Sequence, residues 1–222
     1  MNIDRRKFMG QFLETTSKVA LLAGTTGIVS LAPVVGVNSA NAQQVSGLYD
    51  DLPLPDRVLG KEDAPVTIVE YASMTCPHCK NFHENALKQI KEKYIETGKA
   101  KLIFREFPLD NRAMAAAMLA RCAPEDKYFP MLDILFAQQN DWGRSKDPRP
   151  ILFNISKMAG FSKESFEACI ANGEIFNGVK AVRARGGEKF DVNATPTLFI
   201  GGVKFSGELS FKGVSAAIDA LL

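Results

Sequence analysis

The sequence has almost no net charge, no long basic run and few cysteines, and these features exclude several classes of protein. The 222 residues carry 27 Lys and Arg against 25 Asp and Glu, and no basic run exceeds Arg5, Arg6 and Lys7. The chain therefore lacks the electrostatic footprint of a nucleic-acid-binding protein. Four cysteines are too few for a small scaffold built from disulfides. With 46% apolar residues, the composition indicates one folded domain with a core, and it excludes a disordered chain, a collagen and a multi-span membrane protein.

The first 42 residues have the composition of an export signal. A basic start is followed by residues 19–49, which contain no charged side chain. Glycine, serine, threonine and proline interrupt the apolar stretch, which favours a cleaved signal over a permanent membrane span. Ala40 and Ala42 flank one residue in a small-x-small site, so we expect cleavage after Ala42 and a mature chain of residues 43–222.

The paired arginines, Arg5 and Arg6, resemble those of a bacterial twin-arginine signal. A general secretory signal and an uncleaved membrane anchor are the alternatives that the sequence leaves open. All three place the domain outside the cytoplasm, and we expect a periplasmic protein. Disulfides persist in such oxidising compartments, so the placement of the four cysteines carries information.

The pattern after the signal predicts an α/β domain. Residues 43–56 form a short polar lead-in, and the β-favouring residues 66–71 predict a first core strand. A helix is expected directly after this strand, with Thr75 as its N-cap and an apolar stripe that continues to Gly98. A second strand fits residues 101–107.

Residues 110–190 carry several helical patterns and no strong strand pattern, which predicts an all-helical insertion. Asp110 is a candidate cap for its first helix. A later helix is expected to begin at Ser162, with Phe161 and Phe166 at the positions of a hydrophobic staple. Two strands and a closing helix are predicted after the insertion, at residues 197–200, 203–205 and 211–222.

Cys76, Pro77, His78 and Cys79 carry the chemistry predicted from the sequence. Two cysteines separated by two residues at the start of a helix can form a reversible disulfide, and the unpaired N–H groups there favour a thiolate. Cys76 is expected at the exposed tip, while Cys79 falls on the inward stripe, so Cys76 is the thiol that meets a substrate. His78 adds a donor and, when protonated, a positive charge. Such surroundings lower the pKa of a thiol and make its disulfide oxidising.

A plain structural disulfide and a zinc knuckle are the alternatives for this motif. Zinc needs about four ligands, and the nearest further candidate is His83, four residues after Cys79. His78 is the only other histidine, so Cys122 and Cys169 would have to complete the set. We therefore expect no bound metal, and we interpret His83 as a partly buried helix residue.

The sequence resembles the DsbA-type thiol-disulfide oxidoreductases of the thioredoxin superfamily over nearly all of residues 43–222. The resemblance rests on the Cys-Pro-His-Cys motif and on short segments before and after it. These segments are Leu59-Gly60, Ala64-Pro65-Val66-Thr67, Arg105-Glu106-Phe107-Pro108 and Ala194-Thr195-Pro196-Thr197. The resemblance implies a thioredoxin fold with an all-helical domain inserted between the second and third core strands, which agrees with the insertion predicted for residues 110–190.

The resemblance also assigns roles outside the cysteine motif. It implies that Pro196 is a cis-proline against the redox pair and that the backbone of Thr195 pairs with a substrate peptide; the alternative is a trans proline that starts a strand. Thr195 also occurs in isomerase-like and reductase-like relatives, so it leaves the direction of the reaction open. Glu70 is implied to be an acid beneath the second cysteine, half-buried and able to relay its proton. The alternative is a strand-edge glutamate that faces solvent or pairs with a lysine.

Cys122 and Cys169 both lie on apolar stripes of the insertion. Some DsbA-type members resemble this chain in carrying a second cysteine pair there, which implies a structural disulfide. A facing pair in an oxidising compartment would normally be joined. Two free buried cysteines are the alternative.

The resemblance implies an exported oxidoreductase that donates the disulfide of Cys76 and Cys79 to reduced exported proteins, with no metal or organic cofactor. It also implies reoxidation by a membrane quinone-linked partner of the DsbB type, and we expect a monomer. The first alternative is a disulfide isomerase or reductase with the same residues; such enzymes usually carry a dimerisation domain, which the 14 residues of the lead-in are too few to form. The second is a periplasmic binding protein or metallochaperone, although a binding role would not require Pro196 and Glu70 together with the intact motif.

Overall fold

The computed structural model describes residues 44–222, which form a five-stranded mixed sheet with helices packed against it. The strands are β1 (Arg57–Leu59), β2 (Val66–Ala72), β3 (Ala100–Glu106), β4 (Thr197–Ile200) and β5 (Val203–Lys204). The helices are α1 (Pro77–Glu84), α2 (Ala86–Ile90), α3 (Asn111–Cys122), α4 (Tyr128–Ala137), α5 (Gln139–Gly143), α6 (Arg149–Met158), α7 (Lys163–Ile170), α8 (Gly173–Phe190) and α9 (Phe211–Asp219). The predicted export signal and its cleavage site after Ala42 lie outside the described residues.

The strand order β1-β3-β2-β4-β5 confirms the predicted fold class. Strands β2 and β3 run parallel, and the other neighbouring pairs are antiparallel. Helices α3 to α8 fill the chain between β3 and β4, where the insertion was expected. No helix within residues 44–222 combines the length and apolar character needed to cross a bilayer.

Strand β2 is the central strand and is buried on both faces, because it pairs with β3 on one side and β4 on the other. Successive side chains of a strand point to opposite faces, so Glu70 lies on the same face as Ile68 and Ala72. Tyr71 lies on the opposite face, in a cluster with residues of α8. The sheet therefore delivers one acidic side chain into an otherwise apolar layer.

Residues 44–59 differ from the polar lead-in that the sequence predicts. Leu48 is buried, and the main-chain N–H of Val45 donates to the carbonyl of Gly202 in the β4–β5 turn (2.8 Å). Asp56 accepts two hydrogen bonds from the buried guanidinium of Arg105 (2.7 and 2.9 Å). Strand β1, which pairs with β3, is missing from the prediction because three residues are too few to show an alternating pattern.

The prediction that Thr75 caps the first helix is wrong. The N-cap is Cys76, and Pro77 occupies the first turn, where a missing N–H costs nothing because that group has no helical partner. The hydroxyl of Thr75 instead donates to Oδ2 of Asp110 (2.7 Å). Thr75 thus ties the loop after β2 to the start of the insertion.

The predicted continuous helix to Gly98 is also wrong, because it is broken at Asn85 and ends in a π-helical segment, Lys91–Ile95. Asn85 has φ −117° and ψ −76°, and its side-chain amide donates to the carbonyl of Asn81 (3.0 Å). An asparagine side chain that binds a main-chain carbonyl competes with the helical ladder. The apolar periodicity alone does not reveal this competition.

Two helix starts in the insertion agree with the prediction. Asp110 accepts a main-chain N–H of the first turn of α3 (2.8 Å), and Ser162 accepts that of Ser165 in α7 (3.2 Å). Phe161 and Phe166, on either side of the Ser162 cap, are both buried in one cluster. These short-range signals are readable from sequence because each joins residues at most five positions apart.

Candidate functional site

The Cys-Pro-His-Cys motif lies where β2 ends and α1 begins. Both thiols are unbonded in this structure, with Cys76 at the N-cap and Cys79 in the first turn. The main-chain N–H groups of a first helical turn have no partner inside the helix, so they are free to bind a thiolate. The motif therefore places both sulfur atoms at the positive end of α1.

The Cys76 thiol is strongly acidic, with a pKa lowered from 9.0 to about 5. The largest cause is a hydrogen bond from the Cys79 thiol, and Thr195 and the main-chain N–H groups of Cys79 and His78 add to it, while burial opposes them. A neighbour that hydrogen-bonds the charged form favours that form. Near neutral pH, Cys76 is a thiolate.

The Cys79 thiol behaves in the opposite way, because its pKa is raised above the ordinary value. Burial is the main cause, since the residue has no exposed surface. Its hydrogen bond to Cys76 and the negative charge of Glu70 raise the pKa further. One turn of helix thus holds a stable thiolate beside a stable thiol.

Cys76 is not at an exposed tip, and in this respect the sequence-based expectation is wrong. Only 6% of the residue is exposed, because the segment before β4 lies over it. In its protonated form the Cys76 thiol donates to the carbonyl oxygen of Thr195 (3.3 Å), and the peptide bond between Thr195 and Pro196 is cis. Cys76 is still the more accessible of the two cysteines, since Cys79 is fully buried.

His78 is exposed beside the motif, as is Pro77. The group of His78 that hydrogen-bonds Cys76 is its main-chain N–H. The sequence predicts instead that the imidazole lowers the pKa of the Cys76 thiol. The reason is geometric: the side chain of a residue in the first turn projects away from the helix end, while its N–H points toward it. The main-chain N–H groups at the start of α1 therefore stabilise the Cys76 thiolate, which the imidazole of His78 was expected to do.

Glu70 and His83 form a buried pair on the inner side of α1. Nε2 of His83 lies 3.1 Å from Oε1 and 3.0 Å from Oε2 of Glu70. Glu70 is fully buried, which differs from the half-buried carboxylate expected, and His83 is 7% exposed. His83 follows Cys79 by four residues, so both lie on one face of α1.

Gln139 belongs to the site, although nothing in the sequence predicts it. Its buried side-chain amide donates to the carbonyls of Met74 (2.8 Å) and Cys76 (3.0 Å), so α5 of the insertion holds the loop that carries the redox motif. No local pattern marks this residue, because Gln138 beside it has the same side chain but is only half-buried. Only the packing of α5 against the loop distinguishes them.

Replacing Gln139 with methionine is expected to destabilise the loop. A Gln139→Met variant keeps the side-chain length but removes a donor from two carbonyls. The carbonyl of Cys76 keeps the main-chain N–H of Lys80 (3.1 Å), whereas that of Met74 loses its partner, and an unsatisfied buried group costs about 1–3 kcal/mol. Urea unfolding should show this loss, and exchange of Cys76 with oxidised glutathione should change with it. The matched control is Gln138→Met, at a half-buried position whose side chain makes no hydrogen bond within residues 44–222, and it should leave both quantities as in the parent. Equal effects of the two substitutions would contradict the role of Gln139.

Cys122 and Cys169 are joined in the structure, with their sulfur atoms 2.09 Å apart. The bond links the last residue of α3 to α7 and closes a loop with a sequence separation of 47. Within residues 44–222, no three histidine, cysteine, aspartate or glutamate side chains are grouped as a metal site would require.

Comparison with known proteins gives consistent matches. Residues 54–220 match the family described as thioredoxin. A Rickettsia conorii protein, named provisionally as a protein-disulfide oxidoreductase, is 34% identical over 168 residues, which are 75% of this chain and 60% of that protein. A Rickettsia bellii protein with the same provisional name is 33% identical and matches 74% of this chain and 63% of its own length. The chain thus spans about three fifths of the length of these curated relatives.

The matches to solved structures cover about three quarters of this chain and nearly all of the solved chains. The crystal structure of α-DsbA1 from Wolbachia pipientis is 36% identical and superposes with a TM-score of 0.70, covering 77% of this chain and 92% of that one. BdbD from Bacillus subtilis in its oxidised form shares the fold, with a TM-score of 0.68 at 22% identity over 75% of this chain and 92% of that one. The chain therefore belongs to the DsbA-type proteins of the thioredoxin superfamily.

Proposed function

We propose that this protein is an extracytoplasmic thiol-disulfide oxidoreductase that introduces disulfide bonds into exported proteins through Cys76 and Cys79. The observation that carries the proposal is the opposite shift of the two thiol pKa values within one helical turn. A thiolate as stable as that of Cys76 is a good leaving group, which favours transfer of the disulfide to a substrate. The provisional names of the Rickettsia relatives support the same class of activity.

The reaction starts from the disulfide between Cys76 and Cys79. A substrate thiolate attacks Sγ of Cys76, and the electron pair of the broken S–S bond goes to Cys79, which takes up a proton. A second substrate thiolate then attacks the substrate sulfur of the mixed disulfide and expels Cys76 as a thiolate. The substrate is oxidised, the enzyme is reduced, and no metal or organic cofactor takes part.

The segment over Cys76 supports a role in substrate binding. In the structure, the carbonyl of Thr195 accepts a hydrogen bond from the Cys76 thiol. In the proposal, the thiol leaves this carbonyl when it enters the mixed disulfide, and the Thr195 backbone then pairs with the extended substrate segment. Pro196 holds this backbone against the redox pair, and its own side chain is buried. Glu70 serves the buried thiol of Cys79 as its proton partner.

The proposal extends to location and partners. Residues 1–42 direct export, by the twin-arginine or the general secretory route, and cleavage after Ala42 leaves a monomeric periplasmic domain of residues 43–222. Its substrates are reduced, newly exported proteins. A membrane quinone-linked protein of the DsbB type reoxidises the Cys76 and Cys79 thiols. The bond between Cys122 and Cys169 has a structural role and is outside the redox cycle.

The direct test is oxidation of a reduced two-cysteine peptide by purified oxidised protein. We expect one disulfide formed per enzyme, with loss of the enzyme disulfide, and no product from a Cys76→Ser variant. Equilibration with glutathione should give a reduction potential between about −180 and −120 mV, the range of oxidising members of this superfamily.

The alternative functions, those of a reductase, an isomerase and a metallochaperone, predict different results. A potential near about −270 mV would indicate a reductase. Correction of scrambled ribonuclease disulfides without net oxidation would indicate an isomerase. Retention of metal by the purified protein without turnover would indicate a metallochaperone.

A further inference from the structure

His83 is a buried ionisable residue with one polar partner. Its Nε2 lies 3.0 and 3.1 Å from the two carboxylate oxygens of Glu70, and its Nδ1 has no hydrogen-bond partner among residues 44–222. The ring is otherwise enclosed by aromatic side chains, with Phe136 stacked at 4.1 Å and Phe104 and Phe82 in edge contact near 6 Å. Within the described residues, the bond to Glu70 is therefore the hydrogen bond that compensates the burial of the His83 ring.

Glu70 is likewise a buried polar group that needs a hydrogen-bonding partner. It is completely buried in the central strand, and a buried carboxylate is strongly unfavourable unless a donor compensates it. Within the described residues, its side chain hydrogen-bonds only to His83. The Nε2–H group of His83 is therefore the donor available to the Glu70 carboxylate.

The pair lies on the face of α1 that carries the buried Cys79 thiol. Cys79 and His83 are one turn apart on the same face of α1, and the charge of Glu70 acts on the Cys79 thiol. The elements that pack against His83 from β3 and α4 contribute Phe104 and Phe136, which do not titrate. The buried ionisable groups on this face of α1 are thus Glu70, His83 and the two cysteines, whereas His78 is exposed and Lys80 half-buried.

We propose that His83 is a positioning residue that orients the carboxylate of Glu70 to accept the proton of Cys79. The inference rests on the proposed function and adds a residue to it. The sequence alone predicts a partly buried helix residue at position 83 rather than a ligand or base, and the pairing with Glu70 is what gives His83 a role.

The step is balanced within the site. The Cys79 thiol transfers its proton to a carboxylate oxygen of Glu70, and its sulfur electron pair forms a bond to Sγ of Cys76. The bond between Cys76 and the partner sulfur breaks, and that sulfur leaves as a thiolate with the bonding pair. When the Cys76–Cys79 disulfide is opened again, the electron pair returns to Cys79, which recovers the proton from Glu70.

The test follows the reaction of reduced protein with oxidised glutathione by acid quench and mass spectrometry. Cys76 first takes up one glutathione, and attack by Cys79 then releases it, so the two steps are observed separately. In a His83→Phe variant, which fits the aromatic surroundings, the first step should keep the parent rate. The second should slow at least ~10-fold near pH 7, since a positioned proton acceptor typically contributes 10²- to 10⁴-fold. The glutathione adduct should therefore accumulate, and its release should require a higher pH than in the parent.

Two further variants separate this role from packing. His83→Gln retains an amide N–H toward Glu70 and should recover most of the release rate. In a Glu70→Gln background, adding His83→Phe should change the rate less than about twofold, because both residues then act on the same missing carboxylate. His83→Met provides the same measurement with a flexible side chain if the phenylalanine variant does not fold.

The outcomes that overturn the inference are distinct from those that overturn the proposed function. Release from His83→Phe within twofold of the parent rate, or equal slowing in the phenylalanine and glutamine variants, would show that His83 only fills space. Failure of the parent protein itself to exchange with glutathione would instead contradict the oxidoreductase proposal.

Discussion

Reduced protein treated with iodoacetamide near pH 7 is expected to lose the Cys76 thiol on the order of a hundred times faster than the Cys79 thiol. With a pKa of about 5, Cys76 is about 99% thiolate at this pH, whereas a thiol with a pKa above 9 is at most about 1% thiolate. The lower intrinsic nucleophilicity of an acidic thiolate offsets part of this difference. The complete burial of Cys79 adds to it. Peptide mapping after a timed quench measures both rates.

The pH dependence of this labelling has a defined sign. As the pH falls through about 5, Cys76 becomes protonated, and its reaction rate should fall with it. The ordinary pKa of 9.0 describes the unfolded chain, so ionisation of Cys76 stabilises the reduced protein fully above pH 9, and this gain disappears as the pH falls through about 5. A Cys79→Ser variant should keep rapid labelling of Cys76. Faster modification of Cys79 than of Cys76 would reverse their assigned roles.

Replacing both Cys122 and Cys169 with alanine is expected to lower the free energy of unfolding by about 4 kcal/mol. The bond closes a loop with a sequence separation of 47, and the chain-entropy model gives this value for a cross-link of that length. For a domain of this size, such a loss corresponds to a fall in Tm of roughly 8–16 °C. Thermal and urea unfolding without reductant measure the change.

The same double variant should exchange with glutathione at a rate close to that of the parent. Cys122 ends α3, whose 12 residues place it about 18 Å from the Asp110 end that contacts the redox loop. Loss of exchange in a variant that remains folded would mean that Cys122 and Cys169 take part in the redox cycle. An unchanged Tm would contradict their role in stability.

The parts of the fold that the sequence predicts are those specified by neighbours along the chain. The caps at Asp110 and Ser162 and the run of β-favouring residues in β2 each depend on a few adjacent residues. The Cys-Pro-His-Cys motif is of the same kind, because its chemistry follows from its position at a helix start.

The parts that escape prediction depend on contacts between distant segments. Gln139 is 63 positions from Cys76, and the Thr195 carbonyl that covers the thiol is 119 positions from it. No periodicity encodes such distances. Glu70 and His83 are only 13 positions apart, but they belong to different elements, so their pairing becomes visible only when α1 packs on β2.

The contacts of the first described residues bear on where the folding unit begins. Leu48 is buried, Arg185 of α8 donates to the carbonyls of Gly47 and Asp51, and Leu54 packs where a side chain on Gly178 would otherwise lie. The family model matches from residue 54 onward. Residues before this match therefore belong to the same core and hold α8, and a boundary drawn at the start of the match would divide that core.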